Sequence, residues 1–479
     1  MRFLRQIDLT AWDNWLPLGI IAVFGALALI VYLDWVELGV AGGDVERFQT
    51  VYTDIGIQTT AGILAIIISL SLVAIQFAAQ EYSHRIMEYY MKSVIFWSTF
   101  LVYLSVMVSG IVLQARSSPS DDTRIVSVLL VGTLLCLFLL IPHFLVTASY
   151  LKPEFIIRKL LGRVDQGYLS SLWEPGAAWT GRVAPSIDRL LPVVEITERS
   201  IDRGDLTTTR SALEQIYDLY SSHTVGQTSP EIDSYFLDHI LRIGRKAATN
   251  PDEEEAAVQT IEMLGRIGKG GPAAAAVENI DVLGFLALRK DSDIAVAQMI
   301  DSLRQIFDVG SADVNTRILQ IYGDLVRRLA TGSDDRLLRQ LTDHLFEISQ
   351  SSYERGDLVS VQRCIDLIER VGYNAAVNGM VTVVLNAGAK LQNLATASAG
   401  GQGSIARGIV LNLLRIERAV PSNDRETVAV LEFARGEVER TIGSGSEPTE
   451  EEQGAGDSGD SGVDGDPLGL SGLWDKPKD

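Results

Sequence analysis

The sequence predicts an all-α chain in three parts: a four-helix transmembrane domain over residues 1–151, a stack of amphipathic helices over 152–442, and a disordered acidic tail over 443–479. Three observations predict this. Four apolar runs in the first third of the chain hold no Asp, Glu, Lys or Arg, and a bilayer takes about 20 residues of helix to cross. The middle of the chain repeats helix-start chemistry at short intervals with almost no strand signal. The last segment turns to glycine, serine and acid.

The apolar runs are Trp15 to Leu33, Ile55 to Ala79, Val94 to Leu113 and Ile125 to Val146. The first precedes a small-residue site at Gly39-Val40-Ala41, but it exceeds the roughly 7–15 residues of a signal-peptide core, so a retained anchor is expected. Basic residues set the orientation. Arg2, Arg5, Arg85, Lys92, Lys152, Arg158, Lys159 and Arg163 flank one side, against Arg47, Arg116 and Arg124 on the other. A multi-pass protein of the cell membrane with both termini cytoplasmic is therefore expected. Trp12, Trp15, Tyr32, Trp35 and Tyr150 stand at span ends, where aromatic rings suit the headgroup boundary.

On the second run Gly62, Ser69, Gln76 and Ser83 recur every seven residues, with Gln80 four after Gln76. That spacing places them along one helix face. Such a stripe is a packing seam, because small and polar side chains let membrane helices approach and hydrogen-bond, or else a pore lining. Without a charged ring the seam is favoured, and Ser105 and Ser109 on the third run and Ala22 and Ala26 on the first have the spacing of partner faces. Pro142 removes a backbone donor from the fourth run, and His143 beside it reads as a satisfied interfacial histidine.

The run Ser69-Leu70-Ser71-Leu72-Val73-Ala74-Ile75-Gln76, then Ser83-His84-Arg85, then a further span, resembles a family of prokaryotic predicted membrane proteins of unknown function. Those proteins show S-L-x-L-V-x-x-Q followed by S-P-R, and this chain has His84 in place of the proline. The resemblance covers about Ile55 to Leu113 and implies membrane topology but no activity.

From Lys152 to Ile442 the candidate helix starts are Asp205, Pro230, Asp252, Pro272, Asp291, Asp313, Ser333 and Asp357. Two successive helices occupy about 40–47 residues, the period of HEAT or armadillo-type α-solenoids. Leu213, Ile216, Tyr217 and Tyr220 make one apolar stripe, as do Val361, Cys364, Ile365 and Ile368. Arg203-Gly204-Asp205-Leu206 and Arg355-Gly356-Asp357-Leu358 match each other, pairing Cys364 with Ala212, so Cys364 is expected in the core. The two Arg-Gly-Asp triplets are explained locally, as a glycine ending one helix and an aspartate capping the next. Gly265 to Gly270 only superficially resembles a phosphate loop and reads as an interhelical turn. Ala395 to Ser404 reads as a flexible loop.

The whole chain of 479 residues carries 61 acids against 41 bases, a formal charge of −20 that disfavours nucleic acid as a partner. The bases are mostly arginine, and this acidity resembles a halophilic archaeal proteome, in which molar salt screens a carboxylate-rich surface. Two cysteines and five scattered histidines form no metal or nucleophile spacing, so no cofactor and no enzyme activity are expected. In the tail, Leu468, Leu470, Leu473 and Trp474 interrupt the polarity as a candidate docking motif. The expected function is a membrane-anchored cytoplasmic interaction platform, or scaffold, with a protein partner or a second copy of the chain. The alternative is an oligomeric channel or transporter regulated by the helical domain.

Overall fold

The computed structural model describes residues 45–81, 94–116, 152–171, 187–224 and 229–444 apart from 251, 331–333 and 400–402, with helical pieces between 132 and 149. All regular structure among the described residues is helical. Helix α1 spans Val45–Glu81 and α2 spans Val94–Arg116.

The four expected spans are not reproduced among the described residues. One helical stretch, Gln58–Phe77, is long and apolar enough to cross a membrane, and Thr99–Val112 is a shorter apolar helix. The run from Trp15 to Leu33 lies outside the described residues, and Ile125 to Val146 is described only in pieces. Leu64 and Ile67 of α1, Tyr103 of α2, and Cys136 and Leu139 form one small buried cluster. The Tyr103 hydroxyl donates to the Cys136 carbonyl inside it.

The remaining helices are α3 Pro153–Leu161, α4 Gln166–Ser171, α5 Leu191–Asp202, α6 Leu206–Thr224, α7 Pro230–Thr249, α8 Glu254–Gly270, α9 Ala273–Arg289 and α10 Asp293–Phe307. They continue as α11 Ala312–Leu329, α12 Asp335–Glu354, α13 Leu358–Val377, α14 Val381–Ala399, α15 Gly403–Ala419 and α16 Arg425–Ser444. From α5 onward each helix packs on the next and on the next but one. Two interleaved layers result, α5-α7-α9-α11-α13-α15 and α6-α8-α10-α12-α14-α16, with one continuous apolar core between them. The stripes read from sequence supply that core: Leu213, Ile216, Val361, Cys364, Ile365 and Ile368 are all buried.

The matched corners have one construction. Gly204 and Gly356 adopt left-handed φ of 73° and 76°, where a Cβ would be strained. Asp205 N–H then donates to the Ser200 carbonyl and Asp357 N–H to the Ser352 carbonyl, both at 2.9 Å, closing the preceding helix. Each aspartate turns its carboxylate forward, onto the N–H of Thr208 and of Ser360 at 3.1 Å. Because α6 and α13 lie in different layers, the match records a shared corner and not a shared repeat position.

Three readings of local structure need correction. Asp291 does not open a helix: it has φ of 54° and ends α9, while Ser292 occupies the N-cap position of α10. Gly265 to Gly270 is not a turn but the last part of α8, because its glycines admit neighbouring helices. A Cβ on Gly268 would come within 2.7 Å of Ala276 Cβ and of Ile306 Cδ1. The loop predicted at Ala395 to Ser404 is mostly helix, for α14 runs to Ala399 with Ala395 fully buried. Among the starts, Pro230 opens α7, Asp252 and Pro272 sit within two residues of one, Asp313 lies in the first turn of α11, and Ser333 is outside the described residues. Asp334 caps α12 instead, accepting from the N–H groups of Arg336 and Leu337.

Asp291 gives a simple test. A non-glycine residue in the left-handed region costs on the order of 1 kcal/mol, and Asp291 adds to the acidic surroundings of Asp293, whose carboxyl is pushed up first by burial and then by Asp334, Glu254 and Asp291. Asp291→Gly is expected to stabilise the protein by about 1 kcal/mol. A lower urea midpoint for the variant would contradict this.

Candidate functional site

The face of α1 that carries Gly62, Ser69 and Gln76 is exposed, and nothing stands within 4 Å of a Cβ on Gly62. The buried side is instead Thr60, Leu64, Ile67, Ser71 and Ala74, alternating four and three apart. Two residues of offset correspond to about 200° around a helix, so the polar stripe points almost directly away from the packed side. Ser105 and Ser109 of α2 are likewise exposed, while Thr99 and Tyr103 are buried. Among the described residues, no helix packs against that face, and Ala22 and Ala26 lie outside them. Gln80 lies in α1 with its side chain outside the described set, and Ser83 and the Leu468-Leu470-Leu473-Trp474 motif lie outside the described residues.

A different polar contact does join the apolar segments. Ser71 Oγ lies 3.0 Å from His143 Nε2, both groups are buried, and 72 residues separate them. Ser71 stands in the motif quoted above, but nothing in the spacing of one segment identifies a partner on another.

The helical stack holds a second buried polar centre, at its N-terminal end. Asp188 is 8% exposed. Its Oδ1 accepts from Tyr235 Oη at 2.7 Å and from the N–H groups of Leu190 and Leu191 at 3.0 and 3.2 Å. Its Oδ2 lies 3.1 Å from His239 Nε2. Burial alone would raise this carboxyl, but the hydrogen bond and charge of His239, with the bonds from Tyr235 and Leu191, hold it below the usual carboxylate range. Burial pushes the Tyr235 phenol far up, so it stays a neutral donor. One carboxylate thus caps α5 and ties it to α7. Its partners are 47 and 51 residues away in sequence, beyond any local pattern.

Along both layers the polar contacts have a consistent sense. Glu198 and Asp202 of α5 receive Arg242 and Lys246 of α7 at 2.8 and 2.5 Å. Glu214 of α6 receives Arg266 of α8 at 3.0 Å, and Glu278 of α9 receives Arg317 of α11 at 2.8 Å. Asp301 of α10 takes His344 of α12 at 2.8 Å, and Asp343 of α12 takes Lys390 of α14 at 3.0 Å. In each the acceptor sits on the earlier helix and the donor on the later one. Arg304 of α10 runs the other way, 3.5 Å from Glu347 of α12. Exposed ion pairs contribute only about 0–1 kcal/mol each, so these contacts set register more than stability.

Between α13 and α15 the series opens. Arg415 lies 4.0 Å from Glu369, and a groove of about 340 Å³ is lined by Glu369, Arg370, Tyr373, Asn374, Arg415 and Arg418. A second cavity of about 270 Å³ lies against Asp281, Phe285, Met299, Asp324 and Arg328, with the Arg328 guanidinium 4.4 Å above the Phe285 ring. No group of three or more His, Cys, Asp or Glu side chains among the described residues is arranged to hold a metal ion.

No protein-family model matches the chain, and no curated protein matches it. Among solved structures, a circular tandem repeat protein with novel repeat topology and enhanced subunit contact surfaces aligns at 13% identity. The alignment covers 89% of this chain and 96% of that one at a TM-score of 0.35, a likeness too slight to carry an argument.

Proposed function

We propose that the chain is an integral protein of the cell membrane whose α-solenoid, of HEAT or armadillo type, is a cytoplasmic interaction platform. The observation that carries this is a belt of exposed large apolar side chains on the N-terminal helices. Ile66, Leu72 and Phe77 of α1, Leu101 and Ile111 of α2, and Phe138 and Phe144 are each at least half exposed. Exposed apolar side chains in this number are tolerated against lipid and are a liability in water. The stack supports the platform reading, because helices that touch only their near neighbours build long surfaces with room for a protein partner. Both termini face the cytoplasm on the distribution of Arg and Lys. Protease added to sealed right-side-out vesicles is expected to spare residues 152–479. Their digestion would reverse the topology.

The second reading, an oligomeric channel or transporter, draws on the exposed Gly62-Ser69-Gln76 face. A polar stripe uncovered among the described residues is open to a second copy of the chain or to water. Cysteines at Ser69 and Gln76 that cross-link between copies and resist hydrophilic maleimides support an anchored platform of packed copies. Rapid labelling from solution at both positions, with flux abolished by Gln76→Leu in reconstituted liposomes, supports the pore.

A further inference from the structure

We propose that the groove between α13 and α15 is an internal docking site for the acidic C-terminal segment of this chain, residues 447–466. Three arginines, Arg370, Arg415 and Arg418, line it beside Glu369, with the Asp366 carboxylate also near Arg370 and Arg415, in a chain whose formal charge is −20. The Glu369 carboxylate is set back: its side chain is 14% exposed while Arg415 is 65% exposed, so arginine forms the mouth. At five other crossings within a layer a base of the later helix meets its acid at 2.5–3.0 Å. Here Arg415 stops at 4.0 Å, and Arg370 and Arg418 make no ion pair among the described residues. The structure thus leaves more guanidinium groups than nearby carboxylates in a shallow cleft beside an exposed ring, Tyr373.

Charge and position choose the occupant. Residues 447–466 include Glu447, Glu450, Glu451, Glu452, Asp457, Asp460, Asp464 and Asp466 and contain no Lys or Arg. The segment follows α16, which packs on α14 and α15, so it is tethered to the same end of the stack. From Ser444 the chain to Asp466 could extend about 70 Å at about 3.3 Å per residue, so reach is no limit. Tethering holds the carboxylates at an effective concentration on the order of millimolar, enough for exposed guanidinium–carboxylate bonds that would be weak between separate molecules. The attraction extends about 10 Å at 0.1 M salt and about 3 Å at 1 M, so the contact should open as salt rises.

The test uses the full chain in detergent, with Tyr373→Cys and Glu451→Cys joined by a short bis-maleimide; the native Cys136 and Cys364 are both buried. At 0.1 M salt an intrachain product is expected. Arg370→Glu with Arg418→Glu should slow its formation about tenfold, as should molar salt, because the charge-assisted contact is lost. Adding Glu447→Lys, Glu450→Lys and Glu452→Lys to the reversed groove should restore the rate. If the reversed groove does not fold, Arg370→Gln with Arg418→Gln should give a several-fold decrease. A rate indifferent to both groove variants would overturn the proposal. So would a product that joins only separate copies, which would assign the groove to a second chain.

Discussion

Asp188→Ala is expected to lower the unfolding free energy by on the order of 3–5 kcal/mol, because one buried carboxylate satisfies four separate donors. The substitution strips the cap from the N–H groups of Leu190 and Leu191 and removes the shared carboxylate acceptor of Tyr235 Oη and His239 Nε2. Asp188→Asn keeps the shape and part of the bonding, so its cost should be smaller, about 1–2 kcal/mol. The two effects separate with pH. The folded carboxyl is held below its ordinary value of 3.8, so the unfolded chain takes up its proton first. The stabilisation from ionised Asp188 is therefore complete above that value and is lost as pH falls through the folded one. Urea midpoints of wild type and Asp188→Asn should converge below about pH 4. A constant gap from pH 7 to pH 3 would show that the charge contributes nothing.

Gly268→Leu should be comparably damaging, at about 3 kcal/mol or more, since overpacking a close helix crossing moves backbone as well as side chains. Already the first added carbon would sit 2.7 Å from Ala276 Cβ on α9 and Ile306 Cδ1 on α10. Gly268→Ala tests the same crossing more gently and should cost about 1–3 kcal/mol. Gly270, two residues later in the same helix, meets nothing within 4 Å, so Gly270→Ala should shift stability by no more than about 0.5 kcal/mol. Equal melting temperatures for the substitutions at 268 and 270 would remove close packing as the explanation.

Periodicity explains what was readable in the residues beforehand. The stripe of Leu213 and Ile216 and the corners at Asp205 and Asp357 depend on interactions within a few residues, and such signals survive in a single sequence. Gly265 and Gly268 misled because glycine marks turns by its own conformational freedom, whereas here it marks contact with helices that follow later. The seven-residue recurrence of Gly62, Ser69 and Gln76 located a shared face of α1 but not what that face meets. Thr60 and Ser71, on the opposite side, carried no comparable signal. Asp188 looked like one aspartate among many, because its role depends on Tyr235 and His239, which only the folded chain brings together.

The prevailing sense of the acid and base contacts limits how such a stack can lengthen. Contacts pass from each helix to the next but one, so the protein is wound like a two-start thread. Insert or remove a single helix, and every later helix changes thread, its donors presented to acceptors that belonged to the other. Insert or remove a pair, about 40–47 residues, and both threads stay in phase. Chains built on this plan should therefore differ in length by whole pairs. An engineered copy of α7 and α8 together should be accommodated where a copy of either alone is not.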